Sequence, residues 1–161
     1  MSAAHTSGPS DGGQYLLLTA RFNALVTERL AAAARAALEA NGVAASRIVE
    51  LSVPGAWELP AVAARAAASG RFGAIVACGA VIRGETPHFE HVARAAVDAL
   101  ARIQCDSGVP VGLGLLTTDT LEQALNRAGG KAGNKGEDAA LAALETERAI
   151  AALAGEGARG A

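Results

Sequence analysis

Four short apolar runs, each followed by a stretch with helical spacing, recur through this chain and restrict its fold more than any other feature. They are Tyr15 to Thr19, Ile48 to Val53, Ala74 to Ala77 and Val111 to Leu116. A strand reached through a helical crossover lies parallel to the strand before it, and both faces of such a sheet become covered. The intervening stripes fit helices: Val26, Leu30, Ala33, Ala37 and Leu38 after the first run, then Leu59, Val62, Ala63 and Ala66 after the second. Val92, Ala95, Ala96, Ala99, Leu100 and Ile103 follow the third. The pattern predicts an α/β fold, a three-layer αβα sandwich of the flavodoxin-like kind with a four-stranded parallel sheet and flanking helices.

Local signals punctuate that plan. Asn23 is expected to cap the first helix and Asn41-Gly42 to stop it. Pro60 fits the first turn of the second helix. Thr120 and Gln123 have the spacing of a capping box, opening a helix that reaches Gly129-Gly130. Lys131 to Gly136 reads as a basic, flexible turn before a last helix carrying Leu141, Leu144 and Ile150. Gly112 and Gly114, inside the fourth strand, predict close approach of another backbone or of a ligand. The Ser/Gly/Pro-rich segment 1–13 reads as a disordered arm, 14–154 as one domain, and 155–161 as a frayed tail.

At 161 residues the chain is long enough for a real core, built here mostly from small side chains because aromatics make up only 3%. A net charge of -2 gives no electrostatic ground for binding nucleic acid or an anionic membrane. Cys78 and Cys105 lack metal-ligand spacing and are expected to be reduced core residues. No basic segment leads into an apolar one at the start, and no apolar run is long enough for a bilayer. A soluble, cytoplasmic protein is expected.

The segment from Cys78 to His91 carries the chemistry. It reads as the end of a buried strand, a tight glycine-bearing turn and the first turn of a helix. With Thr86 as N-cap and Pro87 at the first helical position, His88 and Phe89 fall among backbone N–H groups that lack partners. Such an end attracts phosphate or another anion, and Gly84 lets the backbone come close. Glu85 places a carboxylate nearby, so its side chain has to turn away. A histidine beside an anion site suits proton transfer near neutral pH. Ligands of open α/β sheets sit at the carboxyl ends of the strands. Phe22-Asn23, Gly55 to Glu58, Ala80 to His88 and Thr117-Thr118 are therefore expected to converge.

These segments, in this order, resemble the lumazine synthases, which catalyse the penultimate step of riboflavin synthesis. The matching residues are Arg21-Phe22-Asn23, Pro54 to Pro60, Gly79 to His88, Leu116 to Thr120, and Asn126 to Gly129 followed by Lys131 to Gly136. The resemblance covers nearly all of the chain beyond the arm. It implies condensation of 5-amino-6-(D-ribitylamino)uracil with 3,4-dihydroxy-2-butanone 4-phosphate, releasing phosphate and water. It also implies no metal and no cofactor, the amine being already a nucleophile. By the same resemblance Phe22 stacks on the pyrimidine, Ala56, Trp57 and Glu58 hold the ribityl chain, and Ala80, Val81 and Ile82 present main-chain groups to the heterocycle. The Glu85 and Thr86 amides and Arg127 hold the phosphate, His88 moves protons, and Asn23 and Lys135 lie close by. Leu113 stands where the family often has an aromatic that covers the substrate ring from the next subunit, so stacking is lost there. The implied partners are further copies of the chain, as a pentamer whose neighbours share active sites, with riboflavin synthase as a second candidate. The short turn from Gly129 to Gly136 accompanies icosahedral shells of twelve pentamers in the family.

Read without the resemblance, Phe22 fits a core aromatic, Glu58 a helix-start acid, and Arg127 and Lys135 ordinary surface cations. A non-catalytic flavin-binding or shell-forming protein on the same scaffold is the alternative, but it has no need of His88, Arg127 and Lys135 together. A flavodoxin-type electron carrier fits less well, because Thr19 to Asn23 is not a Gly/Ser/Thr-rich phosphate cradle.

Overall fold

A computed structural model describes residues 13–156 of the chain. In order they form β1 (Gln14–Ala20), α1 (Ala24–Ala40), β2 (Ile48–Val53), α2 (Leu59–Ala68), β3 (Phe72–Ile82), α3 (His88–Ser107), β4 (Val111–Thr118), α4 (Leu121–Asn126), β5 (Ala128–Gly130), β6 (Gly133–Asn134) and α5 (Lys135–Glu156). The arm expected over 1–13 lies outside the described residues except for Gly13. So does the tail expected over 155–161, except for residues 155 and 156.

The main sheet has the order β2-β1-β3-β4, and every neighbouring pair is parallel. Side chains alternate between its faces. Tyr15, Leu17, Val76, Cys78 and Leu116 pack under α1 and α5, whereas Leu16, Leu18, Ile75, Ala77 and Leu115 pack under α2 and α3. This is the three-layer, flavodoxin-like sandwich that the strand–helix alternation predicts. The small residues set the layer spacing. A Cβ on Gly112 would run into the carbonyl oxygen of Ala139, so the α5 backbone is its close neighbour, whereas a Cβ on Gly114 would crowd the Ala77 carbonyl oxygen and Cys78 Sγ of β3.

Several local expectations need correction. β3 does not turn at Gly79: it stays in register with β4 as far as Ile82 opposite Thr118, because the ladder and burial on both faces outweigh the glycine's local preference. Asn23 does not cap α1 with its side chain; it adopts the left-handed conformation (φ 63°) and its amide reaches elsewhere. α4 ends at Asn126, and the expected flexible turn is a small antiparallel hairpin of β5 and β6. The Thr120–Gln123 capping box is present, with Gln123 N 3.1 Å from Thr120 Oγ1. Ala93, not Ala95, is buried on α3, and Ile150 faces outward. Cys78 is buried as expected, but Cys105 is exposed.

Candidate active site

Three strand ends build one cavity. Beyond β1 and β2 the ladder continues for two more bonds, Arg21 N to Val53 O and Phe22 N to Pro54 O, each 2.8 Å. This delivers Phe22 over Gly55, where an added Cβ would strike the ring. Phe22 is 65% exposed and Trp57 64%, so neither belongs to the core and both offer apolar surface to a ligand. Glu58 sits in the short turn before α2, and its Oε2 accepts from Gly55 N at 2.9 Å. That bond fixes the carboxylate and leaves its other oxygen for a ligand.

The third strand end adds Ala80, Val81 and Ile82. Asn23 Nδ2 donates to the carbonyl of Ala80 at 2.8 Å, joining the first and third strand ends directly. α3 then opens at His88, with Pro87 rather than Thr86 in the capping position. Thr86 Oγ1 lies 3.5 Å from His88 N, too long for a strong cap. His88 is exposed and lines the cavity. This open cavity measures about 640 Å³, within the usual range for small-molecule sites, and is bounded by Phe22, Asn23, Gly55 to Glu58, Ala80 to Ile82, His88, Phe89, His91 and Val92. Beneath it, burial pushes the Cys78 thiol up to about 12, so this cysteine is a packing residue.

Val92 lies beyond the segment singled out in the sequence, and the sequence assigns no role there to the side chains of Phe89 and His91, inside it. The available signal was spacing: three residues beyond His88, His91 returns to the same helix face. Conversely, the structure does not bring every candidate to this cavity. Thr117, Thr118 and Arg127 line a second cavity of about 400 Å³ with Arg83, Asp119 and Gln123. Arg127 Nη1 donates to Gln123 O at 3.0 Å, and Lys135 N donates to Arg127 O at 2.8 Å, so these two cations travel together across the β5–β6 hairpin. Lys135 Nζ pairs with Asp138 at 3.2 Å. Leu113, 48% exposed on β4, lines neither cavity. Glu85 and Thr86 are exposed in the connection between β3 and α3. One chain thus gathers aromatic, carboxylate, main-chain and imidazole groups around one cavity and holds its two outlying cations elsewhere.

The family profile described as 6,7-dimethyl-8-ribityllumazine synthase matches residues 12–150. The 6,7-dimethyl-8-ribityllumazine synthase of Nitratidesulfovibrio vulgaris is 50% identical over 142 residues, covering 88% of this chain and 91% of that protein. The protein of the same name from Anaeromyxobacter is 51% identical over 138 residues, covering 86% of this chain and 85% of its own. That from Stenotrophomonas maltophilia is 50% identical over 135 residues, covering 84% and 87%. Matched by this family profile over residues 12–150 and about half identical to these relatives over most of its length, the chain belongs to the 6,7-dimethyl-8-ribityllumazine synthase family.

Proposed function

We propose that this protein condenses 5-amino-6-(D-ribitylamino)uracil with 3,4-dihydroxy-2-butanone 4-phosphate to 6,7-dimethyl-8-ribityllumazine, releasing phosphate and water. The observation that carries the reading is the cavity at three strand ends, where the Phe22 ring, the Glu58 carboxylate and His88 border one small-molecule space. Phe22 stacks on the pyrimidine. The ribityl hydroxyls bond to Glu58 and to the main chain around Ala56 and Trp57. Main-chain groups of Ala80, Val81 and Ile82 meet the heterocycle edge.

The amine attacks the ketone and water leaves, giving an imine. Loss of phosphate leaves a second carbonyl, and the ribitylamino nitrogen closes the ring on it with loss of a second water, each step requiring a proton to be moved. His88 is the group that moves them, an imidazole being able both to take up and to give a proton. Fixing two reactants side by side supplies much of the acceleration. The phosphate is held by the Glu85 and Thr86 amides and by Arg127, whose planar fork suits paired oxygens.

The separation of Arg127 and Lys135 from His88's cavity supports a site completed between copies of the chain: Arg127 enters a neighbour's cavity, and Leu113 covers its substrate ring. The assembly is a pentamer, and the short β5–β6 hairpin favours closure of twelve pentamers into a shell. Riboflavin synthase, which consumes the product, is the protein partner. The cytoplasm is the working compartment, where an exposed thiol such as Cys105 stays reduced. Incubating the purified protein with both substrates and following lumazine absorbance tests the activity, and light scattering tests the assembly. Tight binding of the pyrimidine without turnover would overturn the catalytic reading, and a stable monomer would overturn the shared site.

A further inference from the structure

One guanidinium ties the proposed catalytic turn to the sheet. Arg83 is the first residue after β3, and its backbone N donates to Thr118 O at 2.9 Å, adding one rung to the β3–β4 ladder. Its side chain then spans to two other segments. Nε donates to Asp119 Oδ1 at 2.7 Å in the β4–α4 connection, and Nη2 lies 3.6 Å from Glu90 Oε1 on α3. The guanidinium carbon sits 4.5 Å from the centroid of the Phe89 ring, close enough for cation–π attraction. Phe89 is 7% exposed and follows His88 directly in the first turn of α3.

The segment bridged in this way, residues 84–87, is exposed throughout. Its own ties to the helix are the long Thr86–His88 contact already described and one bond at its last residue, from Glu90 N to Pro87 O at 3.0 Å. Arg83 and Phe89 therefore clamp the two ends of a loop that has little internal support. Because the guanidinium is stacked on one aromatic face and paired with Asp119, it reaches the chemistry through Phe89.

We propose that Arg83 is a positioning residue for the condensation, fixing the first turn of α3 against β4 so that His88 and the Glu85 and Thr86 amides keep a reactive geometry. The proposal rests on the reading of His88 and this loop as catalytic. Isolated surface ion pairs contribute little to global stability. Loss of the clamp therefore appears in turnover and local order rather than in unfolding. Misplacement by about 1 Å at a reacting centre lowers rates by about a hundredfold.

The test compares wild type with Arg83→Met, Arg83→Lys, Asp119→Asn and His88→Ala in the assembled protein. Four quantities are measured: kcat, KM for each substrate, thermal unfolding, and amide exchange of the 84–90 segment. Arg83→Met is expected to lower kcat by about ten- to a hundredfold. It should leave KM for the pyrimidine near wild type, accelerate exchange in 84–90, and move unfolding little. Arg83→Lys keeps the charge but not the planar fork and should fall between, and Asp119→Asn should reproduce part of the loss with Arg83 intact. Unchanged kcat and exchange in Arg83→Met would overturn the proposal. So would a kcat loss matched by a global drop in unfolding temperature, or a loss in Arg83→Met that Asp119→Asn does not share at all. If wild type is inactive, or His88→Ala is fully active, the catalytic reading itself fails, which the exchange data distinguish from failure of the clamp.

Discussion

The side-chain amide of Asn23 donates to the carbonyl of Ala80 across 2.8 Å, and it does so from a left-handed backbone conformation at φ 63°. Asparagine tolerates that conformation better than most residues, and here it also bridges two strand ends. Asn23→Gly keeps the backbone but drops the bond, at an expected cost of about 1 kcal/mol. Asn23→Ala adds the left-handed penalty, for a total of about 2–3 kcal/mol. Denaturant unfolding at one fixed protein concentration checks the order of the two variants. Equal stability of glycine and alanine at this position would contradict it.

His88→Ala should lower kcat by about 10²–10⁴-fold, toward the smaller figure if positioning dominates. Because the amides of Glu85 and Thr86 survive the substitution, KM for the phosphate-bearing substrate should stay close to wild type. Steady-state kinetics decide this, and an unchanged kcat removes His88 from the proton transfers.

Arg127 and His88 line different cavities of one chain, which gives the shared-site reading a direct test. Unfolded His88→Ala and Arg127→Ala proteins are mixed in equal amounts, refolded together and assayed. Around a ring, random assortment pairs an intact His88 with an intact neighbouring Arg127 at roughly a quarter of the sites. Activity should rise well above either variant alone. If mixed assemblies form and show only the average of the two, Arg127 serves its own subunit or none.

Tyr15 makes a pH prediction. Its hydroxyl donates to Glu147 Oε2 at 2.6 Å, and burial, with that carboxylate, pushes the phenol from 10.0 up to about 12. The folded state holds the proton more tightly than the unfolded one. This contribution to stability is therefore fully present below pH 10 and is lost as pH rises toward about 12. Tyr15→Phe should make that alkaline slope shallower, leaving the part that comes from the buried Cys78 thiol, while costing about 1–3 kcal/mol at neutral pH. Unfolding free energies at neutral pH and across the alkaline range, for both proteins, provide the check.

Much of this arrangement was legible in the chain. β2 begins and ends where the apolar run does, because Pro54-Gly55 bars its extension. The Thr120–Gln123 box and the tight contact at Gly112 follow from local chemistry in the same way. β3 was harder to delimit. Gly79 looks like a turn in isolation, but a parallel register with β4 and burial on both faces keep the strand going to Ile82. Asn23 fits a cap by residue type, and only the adjacency of the first and third strand ends gives its amide a better acceptor. Phe22 shows the limit from the site side. An aromatic in an aromatic-poor chain reads as core, and its exposure arises from where the β1–β2 ladder releases it over Gly55. The Arg83 clamp joins residues far apart in sequence, so no spacing announces it.

Trp57 is the only tryptophan in the chain, and it stands 64% exposed at the cavity. Excitation beyond the absorption of the single tyrosine therefore interrogates one place in the molecule. The free protein should emit with the red-shifted maximum of a water-bathed indole. A ligand that fills the cavity should displace that water, or quench the excited ring by contact. The protein thus carries its own optical probe for occupancy of the site, needing neither label nor turnover to be read.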